Sequence, residues 1–190
     1  DARGKVKHAF TAPHDPMHME RPLWAEQRPE NWWDAAQHAV RGVLAEAQVH
    51  GRDVRGIGLS GQMHGLVLLD ASYRVIRPAL IWCDQRSQAQ VDSINESVGR
   101  ATVLNCIANP VLTGFTLPKL LWVRDNEPGE FNRVRKILLP KDYVRFKLTG
   151  EYASDVSDAS GTALFDVIRR RWSNELVQRL GLDAEILPRV

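Results

Sequence analysis

Val54-Arg55-Gly56-Ile57-Gly58-Leu59-Ser60-Gly61-Gln62-Met63-His64-Gly65-Leu66-Val67-Leu68-Leu69 is the stretch whose reading decides the fold. Residues 54–60 alternate in the period-two manner of a strand, and residues 66–69 are a short apolar run of the kind that fills a strand buried on both faces. Between them Gly61-Gln62-Met63-His64-Gly65 must be a connection, because two glycines let the backbone turn sharply there. Upstream, Trp32, Trp33, Ala36, Ala39, Val40, Val43, Leu44 and Ala47 recur at three- and four-residue spacings, which predicts a helix from Pro29 that Gly51 stops. A Pro- and His-rich connection occupies residues 13–22, and Val6, Ala9 and Phe10 mark a strand within residues 1–12.

Downstream, residues 70–74 turn the chain into a strand over 75–82, with Pro78 at its margin. A polar helix is expected over 85–99, and a second helix over 118–126 limited by Pro128. Residues 136–139 read as a strand, and 141–148 as a helix closed by Gly150. Residues 154–162 read as a polar loop, 163–167 as a strand, and 173–180 as a last helix closed by Gly181. Helices and strands alternate without internal repeats, so the fold class is α/β in a single domain.

Composition narrows the function. The chain has 190 residues, 44% of them hydrophobic and 25% charged, which suits one domain at about 150 residues each and excludes disorder. Apolar runs such as residues 79–83 are far shorter than the roughly 20 residues of a membrane span, so no membrane role is expected. Lys and Arg number 25 against 23 Asp and Glu, intermixed, which gives no basic face for nucleic acid. Two cysteines, Cys83 and Cys106, make no disulfide framework and point to a reducing, cytoplasmic setting. The chain opens Asp1-Ala2-Arg3-Gly4 without Met, so its true start is expected further upstream.

Four groups of residues could carry chemistry. Gln62, Met63 and His64 offer an amide, an adaptable apolar arm and an imidazole, a set suited to a polyhydroxylated ligand; the same five residues also make a plain hairpin with a solvated His. Trp82-Cys83-Asp84-Gln85-Arg86 puts an aromatic plate, a carboxylate and a guanidinium at a strand end, where α/β sites gather; Asp84 could equally cap the following helix. Asp155 and Asp158 stand among hydroxyls, but without the spacing of a calcium loop, so turn structure is the favoured reading. His8, His14 and His18 with Met17 and Met19 lie in a Pro-interrupted stretch that preorganises nothing, so no metal is expected. The chain has no Gly-x-x-x-x-Gly-Lys-Ser/Thr loop, no Gly-x-Gly-x-x-Gly and no Gly-x-Ser-x-Gly elbow.

These stretches resemble the N-terminal sugar-binding domain of the FGGY carbohydrate-kinase family, its xylulokinase members in particular. The similarity is carried by Leu23-Trp24-Ala25-Glu26-Gln27 with Trp32-Trp33, Leu59 to Gly65, Pro78 to Trp82 with Asp84 and Arg86, Gly114-Phe115-Thr116-Leu117-Pro118-Lys119-Leu120-Leu121-Trp122, Leu138 to Tyr143, and Ser154 to Thr162. The resemblance implies a ribonuclease H-like domain of the actin and hexokinase superfamily, a mixed sheet flanked by helices, incomplete at both ends. It implies ATP-dependent phosphorylation of D-xylulose at the 5-hydroxyl, with Mg²⁺, by an intact enzyme that self-associates as a homodimer. It also implies that Met63 and His64 bind the sugar, with Trp82 as a pocket wall and Asp84 nearby.

The family's Asp-Gly-Thr phosphate loop and its catalytic aspartate have no counterpart within residues 1–190, and Asp155 and Asp158 do not match the motif of that aspartate. The fragment alone is therefore expected to be inactive and to contribute no catalytic base and no metal ligand. Alternatives are a kinase of the same family for another ketose or polyol, such as ribulose, and a non-catalytic sugar-binding protein.

Overall fold

A two-residue strand, β1 (Glu26–Gln27), leads through Arg28 into α1 (Pro29–Glu46). Proline opens this helix without loss, since first-turn N–H groups have no intrahelical partner, and Glu30 complements the positive end of the helix dipole. The chain then reaches β2 (Val67–Leu69) and β3 (Ala79–Leu80), every residue of which is buried. The helix expected over 85–99 begins at Gln88 as α2 (Gln88–Ile94), passes through a π-helical turn at Asn95–Gly99, and continues as α3 (Arg100–Ile107). Gly99, with φ 87°, redirects the chain there instead of ending its helical course.

Next come α4 (Thr116–Asn126), α5 (Pro128–Phe131), β4 (Lys136–Leu138) and α6 (Pro140–Thr149). Gly150, at φ 73°, closes α6 as its sequence position predicts. The remaining elements are α7 (Val156–Ala159), β5 (Phe165–Asp166), β6 (Arg171–Trp172) and α8 (Asn174–Arg179). This is a computed structural model, and it describes residues 4–190.

The strands pair antiparallel, β1 with β3 and β2 with β4, in the register Val67↔Leu138, Leu68↔Ile137 and Leu69↔Lys136. A bridge between Leu66 and Leu80 joins the two ladders into the order β1-β3-β2-β4. β5 pairs with β6 separately, also antiparallel, and one isolated parallel bridge outside the strands links Ala153 to Arg189. Side chains of a strand alternate between faces. Leu66, Leu68 and Leu80 accordingly join Ile107, Leu117 and Leu120 in one core, while Val67, Leu69, Ala79 and Ile81 join Trp32, Leu138 and Tyr143 in another. Burial on both faces is why residues 66–69 carry no polar residue.

Three expectations are corrected. Residues 54–60 form no strand and lie exposed, with Ile57 60% accessible; residues 5–12 form none either, and residues 1–3 lie outside those described. Among the described residues neither segment has a ladder partner beside it, and an alternating pattern without a partner is not a strand. Residues 154–162 are not a loop throughout: Asp155 accepts from the N–H groups of Ser157 and Asp158, an N-cap that starts α7. No described helix is long and apolar enough to cross a membrane.

Candidate functional site

The Gly61–Gly65 connection enters β2 across the start of α6. A Cβ on Gly65 would lie 2.5 Å from Pro140 Cγ, so only glycine lets the loop backbone lie against the rigid Pro140 ring. Just before it, His64 adopts φ 63°, a left-handed conformation that a non-glycine residue keeps only when its surroundings hold it. Those surroundings are identifiable. Thr116 Oγ1 donates to the His64 carbonyl at 3.1 Å and Lys119 Nζ donates to the same oxygen at 3.2 Å.

The imidazole is held as firmly as the backbone. His64 Nδ1 lies 2.6 Å from the Gly161 carbonyl, and the ring packs on Phe115 with centroids 4.6 Å apart. A carbonyl oxygen can only accept, so Nδ1 carries the hydrogen and Nε2 is left as an acceptor in the neutral ring. Burial lowers the His64 pKa; the Gly161 carbonyl works against that shift and the Lys119 charge adds to it, leaving the ring neutral at pH 7. Met63 beside it is 56% exposed. Gln62 turns the other way, its amide donating to Gln27 Oε1 at 2.9 Å, where Trp32 Nε1 also donates at 3.1 Å.

Trp82, at the end of β3, is 52% exposed and lines a cavity of about 540 Å³ together with Gln27, Trp32, Gln62 and Lys141. The cavity touches Gln62 but neither Met63 nor His64, so the two exposed apolar side chains flank the loop and do not share one hollow. Asp84 is placed differently from its neighbour two residues back. It is fully buried, its carboxylate accepting from Ala25 N–H at 2.7 Å and from Arg86, whose guanidinium lies over the rings of Trp24 and Trp122. Glu26 and Arg77 extend this network. With both oxygens taken up inside the protein, Asp84 fixes the strand end and presents nothing to a ligand.

Sequence reasoning missed the supports. Lys119 is wholly buried on α4, a helix whose residues are buried from Thr116 through Val123. Its ammonium also donates to the Gly114 carbonyl at 2.5 Å, and burial pulls its pKa from 10.5 down to about 7. A lone lysine inside the apolar run Leu117-Pro118-Lys119-Leu120-Leu121-Trp122 was the signal available.

Asp142, Asp155 and Asp158 form a cluster whose oxygens lie within 4.8 Å of one another. Lys141 Nζ sits among them, 2.6 Å from Asp142, 2.7 Å from Asp155 and 3.5 Å from Asp158. Burial alone would lower the Lys141 pKa, but the aspartates raise it to about 12, so the positive charge stays. An ammonium already holds the place a divalent cation would take, and the cluster does not fit Mg²⁺.

The comparisons agree with this architecture. The chain belongs to the FGGY family of carbohydrate kinases, matching the model of the family's N-terminal domain over residues 1–190. Among relatives it is 44% identical to the xylulose kinase of Escherichia coli K12 over 88% of its own length and 34% of that protein's. It is 42% identical to the xylulose kinase of Bacillus subtilis 168, over 97% of itself and 37% of the relative. A solved xyloylose kinase from Brucella ovis superimposes with a TM-score of 0.88 at 43% identity, over 94% of this chain and 36% of that one. A Plasmodium falciparum glycerol kinase at 19% identity and TM-score 0.79 shares the fold. The chain thus spans about a third of the length of the curated relatives it matches. Its fold is the ribonuclease H-like, actin- and hexokinase-related one of these sugar kinases.

Proposed function

We propose that residues 1–190 are the N-terminal sugar-binding domain of a longer ATP-dependent kinase that converts D-xylulose to D-xylulose 5-phosphate, and that Met63, His64 and Trp82 meet the sugar. The observation that carries this reading is the Gly61–Gly65 loop, which holds a neutral His64 with Nε2 free to accept beside an exposed Met63. A ketose hydroxyl can donate to that nitrogen while the Met63 thioether beside it covers a C–H face of the sugar, and the Trp82 indole is offered from the separate hollow flanking the loop. Asp84, the weaker candidate close by, is buried with its carboxylate on Ala25 and Arg86, which supports a role in holding the Trp82 strand end.

ATP is the phosphoryl donor that membership of a carbohydrate-kinase family brings with it. The sequence has no glycine-rich phosphate cradle and the Asp142, Asp155 and Asp158 cluster is filled by Lys141, so this reading gives the described residues sugar recognition and no step through nucleotide or Mg²⁺. The same reading takes the intact enzyme to be cytoplasmic and homodimeric; the free thiols of Cys83 and Cys106 support the first.

The test is ADP release by the protein as its gene encodes it, with D-xylulose, D-ribulose, L-ribulose, glycerol and gluconate each offered as acceptor. D-Xylulose should give the highest kcat/KM. Preference for ribulose or a polyol would move the substrate within the family. Sugar binding without any ADP release would leave only a non-catalytic sugar-binding protein.

A further inference from the structure

We propose that Lys119 is a positioning residue for sugar binding, its buried ammonium tying the His64 loop to the segment that packs against Trp82. The proposal rests on the sugar-site reading above and adds to it a residue that does not touch the sugar.

Two carbonyl contacts and one close backbone approach define the tie. Lys119 Nζ reaches the His64 oxygen at 3.2 Å and the Gly114 oxygen at 2.5 Å. Gly114 in turn presses on the Trp82 backbone so closely that a Cβ there would come within 3.1 Å of the Trp82 carbonyl. One side chain therefore spans from the residue expected to accept a sugar hydroxyl to the backbone beneath the expected aromatic wall.

The oxygens of Asp84, the aspartate whose charge acts on Lys119, are occupied by Arg86 and Ala25, and the hydrogen-bond partners of Lys119 are backbone carbonyls. An ammonium donates to carbonyls more strongly than a neutral amine does. The left-handed His64 conformation, unfavourable in itself, is kept by these donors and by Thr116. Four titratable or charged groups face the ammonium: Asp84 favours its charge, as does Cys83 when ionised, while Arg86 opposes it and His64 stays neutral.

With Lys119 titrating at about 7, the charged form that grips both carbonyls gives way as pH rises past neutrality. Sugar affinity should weaken along with it.

The experiment compares Lys119→Met, Thr116→Val and His64→Ala with wild type, in the protein as its gene encodes it, measuring KM for D-xylulose and for ATP from pH 6.5 to 8.5. Thr116→Val removes one donor to the His64 carbonyl without removing a charge, and decides the matter if Lys119→Met does not fold. Expected are a rise in sugar KM of about tenfold in Lys119→Met and roughly three- to tenfold in Thr116→Val, with ATP KM within about twofold. Wild-type sugar KM should climb with pH, and Lys119→Met should show a flat profile. Wild-type sugar KM and pH profile in both variants, beside an impaired His64→Ala, would overturn the role of Lys119 alone. Unchanged sugar KM in His64→Ala would overturn the sugar site itself, and this proposal with it.

Discussion

Gly161→Ala should weaken sugar binding while sparing the fold. A Cβ on Gly161 would lie 2.5 Å from His64 Cε1 and 2.6 Å from Nδ1, against ordinary contacts that begin near 3.4 Å. The ring must therefore retreat by about 1 Å, and as the free end of a side chain it can rotate to do so. Gly161 does not have a positive φ, so its own backbone accepts alanine. Two interactions go with the ring: the 2.6 Å bond to the Gly161 carbonyl, worth about 1 kcal/mol net, and the contact with Phe115, worth about 0.5–1.5 kcal/mol. Stability should fall by about 1.5–2.5 kcal/mol, a Tm shift of roughly 3–10 °C in a domain of this size. A displaced Nε2 forfeits one sugar hydrogen bond, so sugar KM should rise roughly tenfold or more while ATP KM holds.

The decisive assay is a double-mutant cycle. In a His64→Ala background Gly161→Ala should add less than about 0.5 kcal/mol to the loss of sugar affinity, because the side chain it displaces is gone. Additive losses would show that Gly161 acts without His64. An unchanged sugar KM in the single variant would show that the ring's placement does not matter. Either refutes the reasoning.

Two further outcomes follow from buried charge. The folded pKa of Lys119, about 7, lies below its unfolded value near 10.5, so the unfolded chain binds more protons between those values. Its contribution to unfolding free energy should therefore rise with pH from about 7 to 9.5, by up to about 1.4 kcal/mol per unit; urea unfolding of wild type and Lys119→Met should differ in that slope, and equal slopes would contradict the burial argument. Lys141→Met should destabilise by about 3 kcal/mol, because it leaves the fully buried Asp142 carboxylate without its cation, and adding Asp142→Asn should recover most of the loss. Equal stability of Lys141→Met and wild type would mean the cluster is solvated.

Local chemistry made much of the fold legible. Gly150 and Gly181 read as helix stops and both adopt positive φ, and the apolar run at 66–69 could only be a strand covered on both faces. What failed depends on neighbours remote in sequence. Residues 54–60 alternate correctly, yet a ladder needs a second chain segment, and no described segment supplies one. Gly99 looks like an end and is a bend, because a positive φ can redirect helical chain as well as stop it.

At the site, Gly61 and Gly65 advertised the loop. Its supports lie far off, Lys119 being 55 residues from His64 and Gly161 97 residues away. Trp82 and Asp84 show the limit most sharply. They are two residues apart at one strand end, and the turn there sends the indole half into solvent and the carboxylate wholly inward to Arg86.

The central claim is that His64 reads a ketose hydroxyl, and the most direct measurement is calorimetric titration of D-xylulose into wild type and His64→Ala, without nucleotide, in the protein as its gene encodes it. Saturable wild-type binding that weakens about tenfold or more in the variant, with the variant still folded at the titration temperature, is the predicted result. Equal affinity in the two proteins would contradict it.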